Sequence, residues 1–346
     1  MKVKPIIATG IIGLVTTGVS VAEDNKWPTS VTMSGVVQVE GHYFNDYDEV
    51  NSSDIVVDEV GLAIEAQVHK WAKGMLAFLY EEGSTPLEID EAIITLGNSE
   101  VSPISFAIGQ MYVPFGNFET QMISDPLTLE LGETREKAVQ VGFESGGFHG
   151  SVYGFNGSTQ KNDEDTIDHY GANLGFARES DSFSYDLGGS YISDIGDTGG
   201  LTDALGGDDV SNLEGYDYVD GLSAYLILNM GSFSLIGEYV TALDNFSAEH
   251  LAFKGEGAEP KAWNLEVGYT FNMSGKEMTF ALGYQGTDEA IAMELPETRY
   301  TSSLSLGIYD NTTLSFEYAL EEDYDEADGG TGEDAIRATM QLAVEF

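Results

Sequence analysis

The chain has 346 residues, of which 59 are acidic and only 14 are Lys or Arg, so its formal net charge is −45. This charge argues against a nucleic-acid partner, because phosphates attract basic surfaces. The chain has no cysteine, which excludes disulfides and thiolate metal sites. A content of 41 Gly and 18 Tyr is typical of β-proteins, here with very acidic loops.

Residues 1–22 have the pattern of an export signal. Lys2 and Lys4 give a positive start, residues 6–15 are mostly apolar, and small residues stand at the cleavage position. The apolar stretch is shorter than the ~20 residues that a membrane-spanning helix needs. We therefore predict a cleaved signal peptide followed by one mature domain, residues 23–346. An uncleaved anchor is the alternative.

The mature chain is a succession of segments of about ten residues in which apolar and polar side chains alternate. In the last segment, one set is Ile336, Ala338, Met340, Leu342, Val344 and Phe346, and the other is Arg337, Thr339, Gln341, Ala343 and Glu345. Period two places the sets on opposite faces of a strand. An apolar face towards lipid and a polar face towards a lumen indicate a membrane barrel. We predict an all-β fold, a transmembrane antiparallel up-and-down β-barrel of about 16 strands.

The connections between the predicted strands alternate in length. The short ones are residues 179–182, 230–232, 272–276 and 310–312, and the long ones include residues 193–219, 243–259 and 321–334. Outer-membrane barrels alternate short periplasmic turns with long outer loops, so we predict the bacterial outer membrane, with both termini in the periplasm. A soluble β-sandwich is the alternative, but it would not require this alternation.

Aromatic residues near strand ends suit the interfacial girdles of a membrane barrel, with ordinary cross-strand packing as the alternative. They are Tyr43, Phe44, Trp71, Tyr80, Trp263, Tyr284 and Tyr300. The segment that ends at Phe346 resembles the C-terminal strand of outer-membrane porins, which the barrel-insertion machinery reads. The predicted partners are therefore outer-membrane lipid, this machinery and a small solute.

Catalytic motifs are absent from the sequence. There is no GxSxG, HExxH or P-loop pattern, and the histidines are scattered without metal-ligand spacing. They are His42, His69, His149, His169 and His250. We therefore expect no enzyme, no cofactor and no metal site, although a Ser or Asp active site without a motif is an alternative. Acidic loops such as residues 163–165 and 321–334 are expected to be solvated rather than to bind calcium, since no calcium-binding repeat occurs.

Acidic residues dominate the predicted inner wall. The candidate pore-lining or ligand-binding residues are Glu40, Glu65, Gln67, Glu144, Glu238, Glu266, Glu317 and Arg337. Carboxylates along a narrow aqueous path attract cations and repel anions. The alternative is that these acids are solvated in a wide lumen or pair with Arg337.

Residues 114–137 form an unusually long connection, of a kind that is usually functional or disordered. The segment contains two Pro and two Gly residues that precede or interrupt a charged cluster, whose candidate constriction residues are Glu130, Glu133, Arg135 and Lys137. If the segment folds inward, it narrows the pore and sets Arg135 and Lys137 against the acidic wall. An external flap is the alternative.

Residues 91–157 carry short stretches that resemble a known family. GQMYVPFG at residues 109–116, SDPLT at residues 124–128 and GETR at residues 132–135 resemble the LbtU family of siderophore porins. The resemblance implies a 16-stranded barrel without the N-terminal plug of TonB-dependent receptors, and it implies import of iron–siderophore complexes. Ferric polycarboxylate complexes are anionic, so this function requires either a local basic binding site or a different ligand.

The sequence therefore leaves three functions open. A channel that imports iron–siderophore complexes is the leading hypothesis, by resemblance. A general, cation-preferring diffusion porin is favoured by the acidic inner face alone. A structural or adhesive barrel with a blocked lumen is the third, and large inward side chains such as Tyr225 would favour it.

Overall fold

A computed structural model describes residues 30–161, 166–180 and 182–346. The predicted signal peptide and the acidic run at residues 163–165 lie outside the described residues. The described chain forms a closed barrel of sixteen antiparallel strands, each paired with its neighbours along the chain, and the last strand pairs with the first. The predicted fold is therefore confirmed.

The barrel strands are β1 (Ser30–Asn45), β2 (Asn51–His69), β3 (Ala72–Glu81), β4 (Glu88–Gly97), β5 (Ile104–Tyr112), β6 (Arg135–Ser145), β7 (Phe148–Phe155), β8 (His169–Ser180), β9 (Phe183–Ile192), β10 (Gly221–Met230), β11 (Phe233–Ala242), β14 (Lys261–Met273), β15 (Lys276–Asp288), β16 (Thr298–Tyr309), β17 (Thr312–Glu322) and β18 (Asp334–Glu345). A small hairpin, β12 (Ala252–Phe253) and β13 (Glu256–Gly257), lies in the loop before β14. Two short helices, α1 (Leu127–Gly132) and α2 (Gly199–Leu205), lie in the connections after β5 and β9.

The strands expose apolar side chains on one face, as period-two alternation requires. In β18, Met340, Leu342 and Val344 are 48%, 43% and 40% exposed, whereas Thr339, on the opposite face, is 8% exposed. Exposed apolar side chains recur on every barrel strand, and a lipid environment removes the cost of exposing them. No helix in the described part of the chain is both long and apolar enough to cross a bilayer.

Outward aromatic residues lie near both ends of the barrel. Those near the long loops include Tyr43, Tyr170, Tyr239, Tyr284 and Tyr300, and those near the short turns include Phe143, Phe148, Phe183, Phe233 and Tyr309. Two such bands suit the two lipid–water interfaces. One predicted member is wrong: Phe44 shares the inner face with Glu40, and the Arg337 guanidinium lies 4.7 Å from its ring.

The C-terminal residue takes part in closing the barrel. The Gly35 amide donates to the Phe346 carbonyl over 2.8 Å, and the Phe346 amide donates to the Gly35 carbonyl over 3.0 Å. A Cβ atom at position 35 would lie 2.7 Å from the Phe346 ring. Glycine therefore leaves room for the terminal aromatic ring at the seam.

The connections alternate as predicted. The short turns include residues 70–71, 98–103, 146–147, 231–232, 274–275 and 310–311, and the longest loops, at the other end, include residues 113–134, 193–220 and 243–260. The turns and the first strand's start therefore share the periplasmic end, and the loops lie at the outer end.

Gly109 in β5 is a point where the sheet tolerates only glycine. Its φ is +146°, and a Cβ atom there would lie 1.9 Å from the carbonyl oxygen of Ala92 in β4. We expect Gly109→Ala to destabilise the barrel by about 1–3 kcal/mol, because the backbone must shift or strain. Gly154→Ala, where the nearest atom lies 3.6 Å away, is the matched control. The thermal stability of both variants is measured as the temperature at which the folded band disappears on electrophoresis gels. Equal thermal resistance of the two variants would contradict the strain at position 109.

Candidate transport pathway

Residues 113–134, the inward segment, connect β5 to β6 and fold into the lumen. Phe115, Leu127 and Leu131 are 1%, 0% and 0% exposed. The amides and hydroxyls of the segment bond to inward side chains of β9, β11, β14, β15 and β17. Of the two placements that the sequence leaves open, the structure has the inward one.

Glu238 of β11 binds both ends of the inward segment. Its carboxylate accepts hydrogen bonds from the Asn117 amide (2.7 Å), the Phe118 amide (3.0 Å) and the Thr128 hydroxyl (2.9 Å). Asn117 and Phe118 precede the middle of the segment, and Thr128 lies in α1. One side chain therefore holds the segment both near its start, after β5, and in α1, where the chain returns towards β6.

Glu266 and Glu317 bind the middle of the segment. Glu266 of β14 accepts from the Thr120 hydroxyl (2.6 Å) and the Gln121 amide (2.7 Å). Glu317 of β17 accepts from the Ser124 amide (3.2 Å) and hydroxyl (2.6 Å), and also from the Ile123 amide. Hydrogen bonds to ionised acceptors are stronger than neutral ones.

Neutral side chains complete the attachment. Gln285 of β15 accepts from the Leu127 amide (3.1 Å), and Ser190 of β9 accepts from the Gly116 amide (2.9 Å). Ser303 of β16 donates to the Gln121 carbonyl over 2.8 Å. The segment has few backbone partners of its own, so these side chains satisfy peptide groups that burial would otherwise leave unpaired.

The three anchoring glutamates are covered by the segment they bind. Glu238, Glu266 and Glu317 are 6%, 0% and 5% exposed. They lie on the inner face, as the sequence predicts, but beneath the segment rather than along an open path. Sequence reasoning missed this role because the partners are amides of a distant connection.

An apolar core, to which the segment itself contributes, fills the same side of the lumen. Leu127 and Leu131 of α1 pack in one cluster with Leu201 of α2 and Ile195. The Gly199 amide donates to the Glu133 carbonyl over 3.0 Å. The outer loop after β9 is therefore joined directly to the inward segment.

The opposite side of the lumen holds a cavity of about 430 Å³ between the segment and the wall of β1 to β5. The wall contributes Glu65, Lys73 and Glu91, and the segment contributes Asn117 and Glu133. This side is the candidate transport pathway.

Most charged groups near the pathway are carboxylates. Lys73 is paired with Glu65 at 2.8 Å. Asp58 and Glu59 lie within electrostatic range of Glu81 and of Asp125 of the segment. None of these four acids was a predicted site residue, and Asp58 and Glu59 lie where a register shift interrupts the pairing of β1 with β2.

The other predicted inner-wall residues are dispersed. Glu40 accepts from the Gln341 amide group over 2.8 Å. Gln67 donates to the His69 carbonyl (2.6 Å) at a periplasmic turn, and Glu144 lies exposed near another such turn. Their role in ligand binding stays a prediction, as does that of Arg337.

The structure corrects the placement of two constriction candidates. Arg135 and Lys137 belong to β6, and alternation places them on the outward face with Val139. Arg135 binds Glu88 (2.5 Å) and Asp90 (2.9 Å) near the outer rim. The error arose because the loop ends at residue 134, before the basic residues begin. Glu130 and Glu133 do lie in the inward segment.

Arg299 of β16 is the base that does contact the segment. Its side chain binds Glu321 at 2.8 Å and donates to the Asp125 carbonyl over 3.1 Å. Sequence reasoning missed it, although its position on the polar face of β16 was a usable signal. Because its charge is paired, it offers little attraction to a passing anion.

Burial and neighbouring acids raise the pKa of Glu133, at the end of α1. Burial is the largest cause and Asp125, Asp90, Glu130 and Glu81 add to it, so the pKa of Glu133 is raised to about 8. Burial likewise raises the pKa of Glu130. The charge of the pathway therefore changes near neutral pH.

Comparison with solved structures relates this architecture to porins. An anion-selective porin from Comamonas acidovorans matches with a TM-score of 0.62 and 13% identity, over 92% of this chain and 99% of that one. The outer-membrane channel DcaP of Acinetobacter baumannii matches with a TM-score of 0.61 and 14% identity, over 92% and 97%. This chain is a porin-like barrel of the bacterial outer membrane. Identities this low show the fold alone.

The names of the sequence relatives state no activity. A UPF0422 protein of Coxiella burnetii is 29% identical over 306 residues, which cover 85% of this chain and 64% of that protein. A UPF0422 protein of Legionella pneumophila strain Lens is 28% identical over 360 residues, covering 91% and 66%. The chain spans just under two thirds of the length of these relatives. No family model matches the chain, and the resemblance to LbtU porins stays a hypothesis.

The anchoring bonds predict how the segment responds to a lost carboxylate. Glu238→Gln replaces one acceptor oxygen by a donor that faces amide hydrogens, so the amides of Asn117 and Phe118 should exchange with deuterium at least ten-fold faster, about 1.4 kcal/mol or more of lost protection. Hydrogen-exchange mass spectrometry in detergent measures this.

Glu144→Gln is the matched control, because it makes the same change on the inner face outside the segment. Exchange should then be unchanged over residues 113–134. Equal protection of the segment in the wild type and Glu238→Gln would contradict the anchoring role.

Proposed function

We propose that the porin-like channel is a diffusion pathway that prefers cations to anions. The observation that carries the proposal is the excess of carboxylates on the open side of the lumen, where Glu65 is paired with Lys73 but Glu91 and Glu133 line the same cavity. Carboxylates along a narrow path raise the local concentration of cations and repel anions.

The inward segment favours a restricted pathway rather than an open cylinder. It places Glu133 opposite Glu65 and Glu91 of the wall, so the cavity has acidic groups on both sides. Ionic screening is weaker in a narrow, partly buried path than at an open surface. The same geometry favours a channel over a barrel without a transport role, because a cavity persists beside the segment.

The raised pKa of Glu133 predicts a pH-dependent selectivity. An acid with a pKa of about 8 is mostly neutral below that pH and charged above it. Cation preference should therefore rise as pH increases from about 7 to about 9. Zero-current potentials of the refolded protein across a KCl gradient measure this, and selectivity for anions at every pH would contradict the proposal.

Glu133→Gln tests whether this residue is the cause. The variant should lose most of the pH dependence between about pH 7 and 9 while it keeps a baseline cation preference from the remaining acids. Glu249→Gln, in an exposed outer loop, is the control with the same charge change. An identical pH profile in Glu133→Gln and the wild type would remove Glu133 from the pathway.

A finer proposal is that the pathway takes iron–siderophore complexes, as the resemblance to LbtU porins implies. The specific support is that the GQMYVPFG stretch contributes Val113, Pro114, Phe115 and Gly116 to the cavity. Because the facing charges are acidic and Arg135 and Lys137 point outward, we propose a cationic or neutral ferric complex rather than an anionic one.

Blockade of the single-channel current by ferric complexes of different charge tests this finer proposal. A cationic ferric trihydroxamate should block saturably, and a ferric polycarboxylate should block at least ten-fold more weakly, because like charges repel. Equal indifference to both would reject siderophore import and leave the diffusion channel. Stronger blockade by the polycarboxylate would contradict the role assigned to the acidic lining.

A further inference from the structure

A buried cluster of His169, Asp194 and Asp197 lies in the outer loops, away from the pathway. His169 begins β8, Asp194 precedes a 3-10 turn, Ile195–Asp197, in the loop after β9, and Asp197 ends that turn. The three residues are 2%, 0% and 4% exposed. One ring nitrogen and one oxygen from each carboxylate all lie within 4.8 Å of one another.

Local hydrogen bonds fix the orientation of both carboxylates. Asp194 Oδ1 accepts from the Gly196 amide (3.1 Å), the Val219 amide (3.1 Å) and the Tyr216 hydroxyl (3.0 Å). Asp197 Oδ1 accepts from the Thr159 amide over 2.9 Å. Oδ2 of Asp197 lies beside the His169 ring, and Oδ2 of Asp194 lies 2.7 Å from the Thr159 hydroxyl.

The ring and carboxylate atoms at the centre of the cluster lie close together but not in hydrogen-bond geometry. His169 Nδ1 lies 2.5 Å from Asp197 Oδ2, yet within the described residues neither atom has a partner in hydrogen-bond geometry. The other ring nitrogen, His169 Nε2, lies 3.4 Å from Asp168 Oδ1 and also lacks such a partner. Thr159 Oγ1 lies 2.7 Å from an oxygen of both Asp194 and Asp197, although a hydroxyl has one hydrogen to donate.

The cluster brings two carboxylates into a buried site with a single imidazole. Buried carboxylates in proteins are paired with a cation or coordinate a metal. Space beside the cluster is kept by Gly157, where a Cβ atom would lie 2.4 Å from an Asp197 oxygen and 2.7 Å from His169 Cε1.

We propose that His169, Asp194 and Asp197 bind a divalent transition-metal ion, with Zn²⁺ or Mn²⁺ as the matching class. One imidazole nitrogen and two carboxylate oxygens suit these ions, whereas Ca²⁺ prefers oxygen ligands alone. The sequence gives no such indication, because the ligands come from the start of one strand and from a separate loop, without a recognisable spacing.

The site would connect the outer loops to the inward segment. Asp197 is two residues before Gly199, whose amide donates to the Glu133 carbonyl over 3.0 Å. Thr159, in the loop after β7, contacts both aspartates. A bound ion would therefore hold together two outer loops, one of which contacts the inward segment.

Metal binding to the refolded, chelator-treated barrel tests the proposal. Co²⁺ is the spectroscopic probe, and Zn²⁺ and Ca²⁺ are competitors. We expect one Co²⁺ ion to bind per chain, saturably and with a ligand-field absorption band. Zn²⁺ should displace it, whereas Ca²⁺ at the same concentration should not. His169→Gln and Asp197→Asn should each weaken binding at least ten-fold, as loss of a ligand requires.

His250→Gln is the matched control, since it removes another outer-loop histidine and should bind Co²⁺ like the wild type. Equal binding in all variants would assign the ion to the acidic loop surface and overturn the proposal, as would absence of saturable binding. Should the site variants fail to fold, X-ray absorption of the Zn²⁺-loaded wild type decides, because a zinc shell without an imidazole nitrogen also overturns it.

Discussion

The structure depends on hydrogen bonds between wall carboxylates and the backbone of one inward connection. Glu238, Glu266 and Glu317 lie on three strands of one side of the barrel, and together they bind amides and hydroxyls from Asn117 to Thr128. A segment without regular structure must satisfy its peptide groups when it is buried. Carboxyl groups do so with few side chains, because each has two acceptor oxygens, and they place the segment against one half of the wall.

This attachment divides the lumen into two unlike halves. The anchored half is filled by α1, α2 and an apolar cluster, whereas the other half keeps the cavity beside Glu65, Lys73 and Glu91. The acids of the wall therefore have two uses. Some are neutralised by backbone dipoles and fix the constriction, and others give the remaining pathway its negative potential.

The sequence predicts the barrel well because lipid imposes a simple rule. Every spanning strand must alternate, and its polar backbone must be paired with neighbours. The alternation of apolar and polar residues fails where an apolar core fills the lumen. Ile93 in β4 faces inward and packs against this core, so the sequence of β4 is apolar on both faces. Register shifts between β3 and β4 and between β1 and β2 are also invisible in the pattern.

The candidate site is less predictable, because its contacts join distant parts of the chain. Glu317 and Ser124 are separated by 193 positions, and His169 meets Asp197 through the folding of two loops. The alternation of side chains along a strand identifies which glutamates face inward, but it does not identify which of them the inward segment covers. The placement of Arg135 depends on one further fact, the residue at which β6 begins.

The asymmetric lumen is tested most directly by thiol accessibility, since the native chain has no cysteine. Met75→Cys lies in the cavity wall, and Ser223→Cys lies on the covered side, where Ser223 is 1% exposed. A cationic thiol reagent should modify Met75→Cys rapidly and reduce its current, whereas Ser223→Cys should stay protected. Equal modification of both positions, or modification of Ser223→Cys alone, would contradict a pathway confined to one side of the inward segment.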